Sequence, residues 1–175
     1  MPPPRGSGPQ DTPARELGPS LLAILNFLRE AYADLSPEDS RRPGPGGGFS
    51  PVEQAWHLAD LEREGFGKRI QRLQWESQPT LPDFDGARIA RERNYRSLSL
   101  SAGLAAFAAA RLANLSRLRS LDAEAWSRGG TQEGVGPISL RDIPKFMQEH
   151  DAAHMAEIRV WLEQRGQGQQ PPGEI

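Results

Sequence analysis

The chain has 175 residues, no cysteine, and a formal net charge of −2 from 21 basic and 23 acidic residues. That length suits one domain with its own core; the missing cysteines exclude disulfides, zinc–thiolate sites and a thiol nucleophile; and the balanced charge gives no long-range pull on nucleic acid. No run approaches the roughly 20 apolar residues of a membrane helix, and the opening MPPPRGSGPQDTP lacks the apolar core of a secretory signal, so the expectation is a cytoplasmic protein with neither nucleic-acid nor membrane partners.

Residues 1–16, rich in Pro and Gly, read as a disordered tail, and residues 166–175 as a flexible one, with one folded unit over 17–165. The first helix is expected from Gly18-Pro19, with Pro where its missing N–H costs nothing. Leu21, Leu25, Leu28, Tyr32 and Leu35 follow in alternating steps of four and three, one apolar stripe. Ser36-Pro37 stops it, and RRPGPGGGF is a loop. The second helix has the clearest start in the chain: Ser50, then Pro51, then Glu53, a capping box with Pro at the first helical position. It continues to Trp75, with Val52, Ala55, Ala59, Phe66, Ile70 and Leu73 as its core face.

Residues 76–96 are punctuated by Pro79, Pro82 and Gly86, with a short helix expected within ARIARERNYRS. A third helix over 101–120 turns Leu104, Phe107, Leu112, Leu115 and Leu118 inward, and its alanines favour helix and close neighbours. Asp122 to Pro137, with two pairs of glycines, reads as a long loop. The fourth helix starts after Ser139, with Asp142 closing a second capping box and Pro144 harmless in the first turn. Ile143, Phe146, Met147, Ile158 and Leu162 pack inward, and Gly166 ends it. No strand pattern of comparable length competes. Four amphipathic helices with two long crossings predict an all-α four-helix bundle.

The chain has three histidines. His150 and His154 form H-D-A-A-H in the fourth helix, a spacing that stacks both imidazoles on one face. A single ion can reach both rings at about 2.0–2.1 Å. His57, within the second helix, can reach the same ion from a neighbouring helix of a bundle. Three neutral nitrogens leave a coordination position open, the arrangement of a reactive rather than a structural zinc site. Two histidines at this spacing also occur as surface residues or as a packed pair, and periodicity does not bring His57 to them. Asp60, Glu64 and Asp151 lie close enough in sequence to orient an imidazole, although solvated charges are the ordinary reading. Trp56 and Trp161 read as core or pocket wall. The arginines, among them Arg88, Arg91, Arg93, Arg96, Arg111, Arg117 and Arg119, read as solvated helix faces.

Three stretches resemble the DinB-like superfamily, which includes the YfiT-type bundles. FSPVEQAWHLADLE is similar to its second-helix motif. FDGARIARERNYRS and AFAAARLANLSRLRSLDAEAWSRGG, with Asn94-Tyr95, Arg111 and Trp126, are similar to its central part. VGPISLRDIPKFMQEHDAAHMAEIRVWL is similar to its last helix. The resemblance covers roughly residues 17–165. It implies an up-down-down-up bundle, a divalent metal held by His57, His150 and His154 plus water, and frequent dimerisation, so a homodimer is expected. Some members transfer small thiols such as bacillithiol, mycothiol or glutathione to electrophiles, and others isomerise maleylpyruvate.

Three functions follow as expectations. The first is a metal-dependent thiol S-transferase acting on a small molecule, with zinc or nickel at the three histidines and Arg111 pairing with carboxylates of the thiol cosubstrate. The second is a metal-dependent hydrolase using the same ligands. The third is a stress-associated module that binds a metal or small ligand without turnover.

Overall fold

A computed structural model describes residues 13–168. Helix α1 spans Pro13–Ala31, beginning one turn before the expected Gly18-Pro19 and continuing through Pro19. The expected tails at 1–16 and 166–175 lie outside the described residues, except that 13–16 extend α1 and 166–168 extend the last helix. The second helix starts as its capping box dictates. Ser50 and Glu53 bond reciprocally, and Pro51 takes the first position of α2 (Pro51–Asp60). Leu61–Phe66 then forms a π turn, and α3 (Gly67–Trp75) completes the rod. The crossing that follows carries α4 (Gly86–Glu92), begun by Asp85, whose side chain accepts the Arg88 N–H. Next come α5 (Leu100–Arg119) and, after the Ser139/Asp142 capping box, α6 (Ile143–Gly168).

The main helices α1, α2–α3, α5 and α6 form the expected up-down-down-up bundle, with α2 on α5 and α1 on α6. A three-stranded sheet caps one end. β1 (Thr80–Leu81) runs parallel to β2 (Gly129–Gln132), which pairs antiparallel with β3 (Gly136–Ser139). Part of the stretch read as a loop is therefore a hairpin. Its strands hide from pattern reading because Gly129-Gly130 carry no side chains to alternate. The glycine is needed there: a Cβ on Gly130 would lie 2.5 Å from the Pro79 carbonyl oxygen.

The core is in two parts. Toward the sheet, Leu21, Phe66, Ile70, Leu73, Leu115, Leu118, Trp126, Ile143 and Met147 pack together. Toward the other end, Ile24, Leu28, Tyr32, Leu58, Phe107 and Ile158 do the same. Between them in chain position, on three helices at once, lie Glu62, Arg111 and Asp151, all buried. Leu112, expected inside, is 53% exposed. The buried stripe of α5 runs Phe107, Arg111, Asn114, Leu115, Leu118, so the arginine takes the inward position and its apolar neighbour faces out.

Candidate metal centre

His57 sits in the second turn of α2, and His150 and His154 lie in the middle of α6. The packing of the bundle brings the three Nε2 atoms together. His57 Nε2 lies 3.3 Å from His150 Nε2, which lies 3.0 Å from His154 Nε2. Three nitrogens each about 2.0–2.1 Å from one ion are separated by about 2.9 Å at right angles and about 3.4 Å at tetrahedral angles. The measured spacings fall in that interval. One ligand atom from each residue lies within 4.8 Å of the others, and among the described residues no fourth histidine, aspartate or glutamate joins the group.

The hydrogen bonds behind His154 set its tautomer. The Glu157 carboxylate, which can only accept, takes the Gln54 amide N–H at 2.8 Å. The amide oxygen of Gln54 is thereby turned to His154 Nδ1, at 2.6 Å, and Glu157 also lies 3.2 Å from that nitrogen. Both partners are acceptors, so Nδ1 carries the proton and Nε2 presents its lone pair to the other two rings. Burial pushes all three imidazoles toward the neutral form. His57 is lowered to about 4, by desolvation first and then by His154, with Asp60 opposing. His150 is lowered to about 2, by desolvation, then His154 and His57. His154 is also lowered, mainly by desolvation, with Glu157 opposing. Near pH 7 protons therefore do not compete with a metal for these imidazoles. Three ring nitrogens that converge on one point can be satisfied together by a cation, so the donor set fits a divalent metal.

His57 is held differently. Its Nδ1 is buried with no hydrogen-bond partner, and the ring is packed between Phe49, at 5.2 Å between centroids, and Phe84, at 6.1 Å. Gly86, at the start of α4, closes the remaining side. A Cβ there would stand 2.5 Å from His57 Cε1 and 2.7 Å from Nδ1.

Two cavities flank the triad. One of about 500 Å³ is lined by Gln54, His154 and Glu157 together with Tyr32, Phe49 and Trp161, so it lies behind His154, on the Nδ1 side. The other, a cleft of about 360 Å³, is lined by His57 and His150, with Leu61, Phe66, Phe84 and Phe146 as apolar walls. The face of the triad away from the Gln54–Glu157 bonds opens to this cleft.

Several residues act otherwise than their sequence suggests. Arg111 is 1% exposed, and all five of its N–H groups are used. It bonds Glu62 through Nε and Nη2, Asp151 through Nη1 and Nη2, and the Leu21 carbonyl through Nη1. No donor is left for a cosubstrate carboxylate, so the expected ligand-pairing role is replaced by a structural one. Asn114 completes this layer, donating to the Glu62 carbonyl at 2.8 Å and to its carboxylate at 3.0 Å. The former bond engages a carbonyl inside the π turn. Asp60 and Asp151 are buried rather than solvated, and neither bonds an imidazole. Asp60 accepts from Tyr95 at 2.5 Å, from Arg93 at 2.6 Å and from Arg63. These partners hold its carboxyl below the ordinary range against desolvation, which acts to raise it. Glu64 pairs with Arg93, so Arg93 is no free surface cation either. Trp161 is a wall of the rear cavity, as expected, and donates to the Arg42 carbonyl. Gln54, Glu157 and Gly86 were not legible as site residues, although Gln54 precedes His57 by three and Glu157 follows His154 by three, one helical turn in each case.

The family model of the DinB superfamily matches residues 23–158 of the chain. Among solved structures, YfiT from Bacillus subtilis, described as "a probable metal-dependent hydrolase with an unusual four-helix bundle topology", is similar with a TM-score of 0.80 at 19% identity, over 95% of this chain and 93% of that one. Comparison with curated protein sequences finds no match. No helix among the described residues is long and apolar enough to cross a membrane.

Proposed function

This chain belongs to the DinB superfamily, and we propose that it is a metal-dependent hydrolase of small esters or amides, with one divalent ion held by Nε2 of His57, His150 and His154. The observation that carries the reading is the convergence of three neutral imidazoles, without a fourth protein ligand among the described residues, at the foot of an open cleft. Zinc or nickel suits an all-imidazole set. When bound, such an ion supplies a Lewis acid and an activated water nucleophile near neutral pH.

The chain's own groups do the rest. Gln54 and Glu157 keep the proton on His154 Nδ1 and so keep Nε2 basic. Phe66, Phe84 and Phe146 exclude bulk water and receive the apolar part of a substrate. Of the two carboxylates lining the cleft, Asp83 accepts its neighbour Phe84's N–H, which leaves Glu149, next to His150, to take a proton from the attacking water. Hydrolysis forms one carbon–oxygen bond at the carbonyl and breaks the bond to the alcohol or amine, which leaves with a proton.

The thiol-transferase reading uses the same ligands, but the anchor it relied on, Arg111, is saturated in the core. One experiment separates the readings. The protein, loaded with zinc or with nickel, is assayed on an ester and amide panel with and without a small thiol, beside His57→Ala and Glu149→Gln. Metal-dependent turnover without thiol, lost in His57→Ala and reduced in Glu149→Gln, is expected. Turnover that requires the thiol would replace hydrolysis by transfer, and no turnover in either arm would leave a binding module.

A further inference from the structure

Arg69 and Arg111 are the two arginines buried among the described residues, and they are treated in opposite ways. Every N–H of Arg111 meets an acceptor. Arg69, at 7% exposure, makes no hydrogen bond and no ion pair among the described residues. Its guanidinium carbon stands 5.7 Å from the centre of the Phe66 ring. Burial lowers its pKa, and the charge of Asp83 offsets that from beyond ion-pair distance. The guanidinium nitrogens lack a protein acceptor but are not sealed from solvent, because Arg69 lines the same cleft as His57 and His150.

A second polar group in that cleft also lacks a protein partner. Gln132, the last residue of β2, is 8% exposed. Its Oε1 is fully buried with no partner, and it too lines the cleft. One unpartnered group, Arg69, offers donors and the other, Gln132, an acceptor, both beside the histidines and among phenylalanine walls.

The π turn is what puts Arg69 there. Arg69 follows His57 by twelve residues, which on an uninterrupted helix sets the two side chains about 120° apart. Absorbing one residue in a π turn reduces that to about 20°. Leu61–Phe66, lying between them, makes this correction. It brings the guanidinium onto the face that carries the metal ligand.

We propose that Arg69 forms a recognition site for a substrate carboxylate, with Gln132 Oε1 beside it left to accept from a donor group of the same molecule, so that the cleft selects a small, largely apolar ester or amide that also bears a negative charge. The proposal deepens the hydrolase reading by naming the substrate class, and rests on it only for the word substrate. The recognition itself is an equilibrium property. Glu149, also on the cleft, is exposed and lies 3.8 Å from Lys145, so it does not neutralise Arg69.

The test measures binding rather than turnover. Calorimetric titration with 4-phenylbutyrate and with its neutral analogue 4-phenylbutanamide is carried out on zinc-loaded and on chelator-treated protein, for the unaltered chain, Arg69→Gln and Arg69→Lys. A charge-assisted bond predicts about 10- to 100-fold tighter binding of the acid. That preference should survive chelation, vanish in Arg69→Gln and be kept in part by Arg69→Lys. Thermal unfolding provides a control, because removing a partnerless buried charge leaves the midpoint of Arg69→Gln unchanged or higher, whereas loss of a structural contact lowers it. Equal binding of acid and amide by the unaltered chain would overturn the proposal. So would a preference that persists in Arg69→Gln and disappears on chelation, since the carboxylate would then sit on the metal. Selective binding without hydrolysis of any ester would refute the hydrolase reading and leave the recognition site standing.

Discussion

Gly86→Ala is a small change with a large expected consequence. At the first position of an exposed helix, alanine is normally the better residue by about 0.5–1 kcal/mol. At Gly86 the new methyl would stand 2.5 Å from His57 Cε1, about 1 Å short of the separation at which carbons ordinarily touch. The ring cannot swing aside freely, because Phe49, Phe84, His150 and His154 surround it. Overpacking of this kind costs about 1–3 kcal/mol, enough to cancel the gain in helix propensity. A retreat approaching 1 Å also exceeds the roughly 0.2 Å tolerance of a metal–ligand bond. We therefore expect Gly86→Ala to keep its helical circular dichroism while losing zinc affinity by about 10- to 100-fold in competition against a chromophoric chelator, the range found when the surroundings of a ligand are disturbed. Unchanged affinity would mean that α4 moves outward instead, and that Gly86 does not position His57.

Three further outcomes follow from the same geometry. Arg111→Met should destabilise the protein by about 3–5 kcal/mol in urea titrations, because Glu62 and Asp151 are left as buried, uncompensated charges; combining it with Glu62→Gln and Asp151→Asn should restore much of the loss, and a single variant as stable as the parent would refute the buried layer. Gln54→Leu should weaken zinc binding by about 10- to 100-fold with little change in helix content, since it removes the acceptor that holds the proton on His154 Nδ1; unaltered affinity would show that Glu157 alone suffices. The metal-free protein should lose stability as the pH falls from 6.5 toward 4. His57 is depressed to about 4 in the folded chain, so over that window the unfolded chain binds a proton that the folded one refuses, a loss of about 3 kcal/mol from this residue alone. Asp60, lowered from 3.8, acts with the same sign but only below its ordinary value. Denaturant midpoints that stay flat between pH 7 and 4 would contradict the burial of His57.

The elements were largely legible because their signals are local. The capping boxes at Ser50/Glu53 and Ser139/Asp142 fall where the helices begin, since a cap involves residues three apart. The stripe Leu21, Leu28, Tyr32 is buried as its spacing demands, and the H-x-x-x-H pair shares a face for the same reason of helical pitch. What lay beyond reach was every feature made by two segments at once. Nothing local marks Arg111 as an inward residue and Leu112 as an outward one. That choice is made by Glu62 and Asp151, which arrive from two other helices. The π turn that aligns Arg69 with His57, the Pro79 carbonyl that forbids a side chain on Gly130, and the Gly86 backbone against the His57 ring likewise depend on what lies opposite. By itself the sequence determined the helices, their inward stripes and three candidate ligands, because pitch and capping are short-range. Only the tertiary structure decided that the three nitrogens meet, which charges are buried and which cleft they face, because those outcomes depend on contacts between residues far apart in the chain, such as Gln54 and Glu157, 103 residues apart, and Asp39 and Arg165, 126 apart.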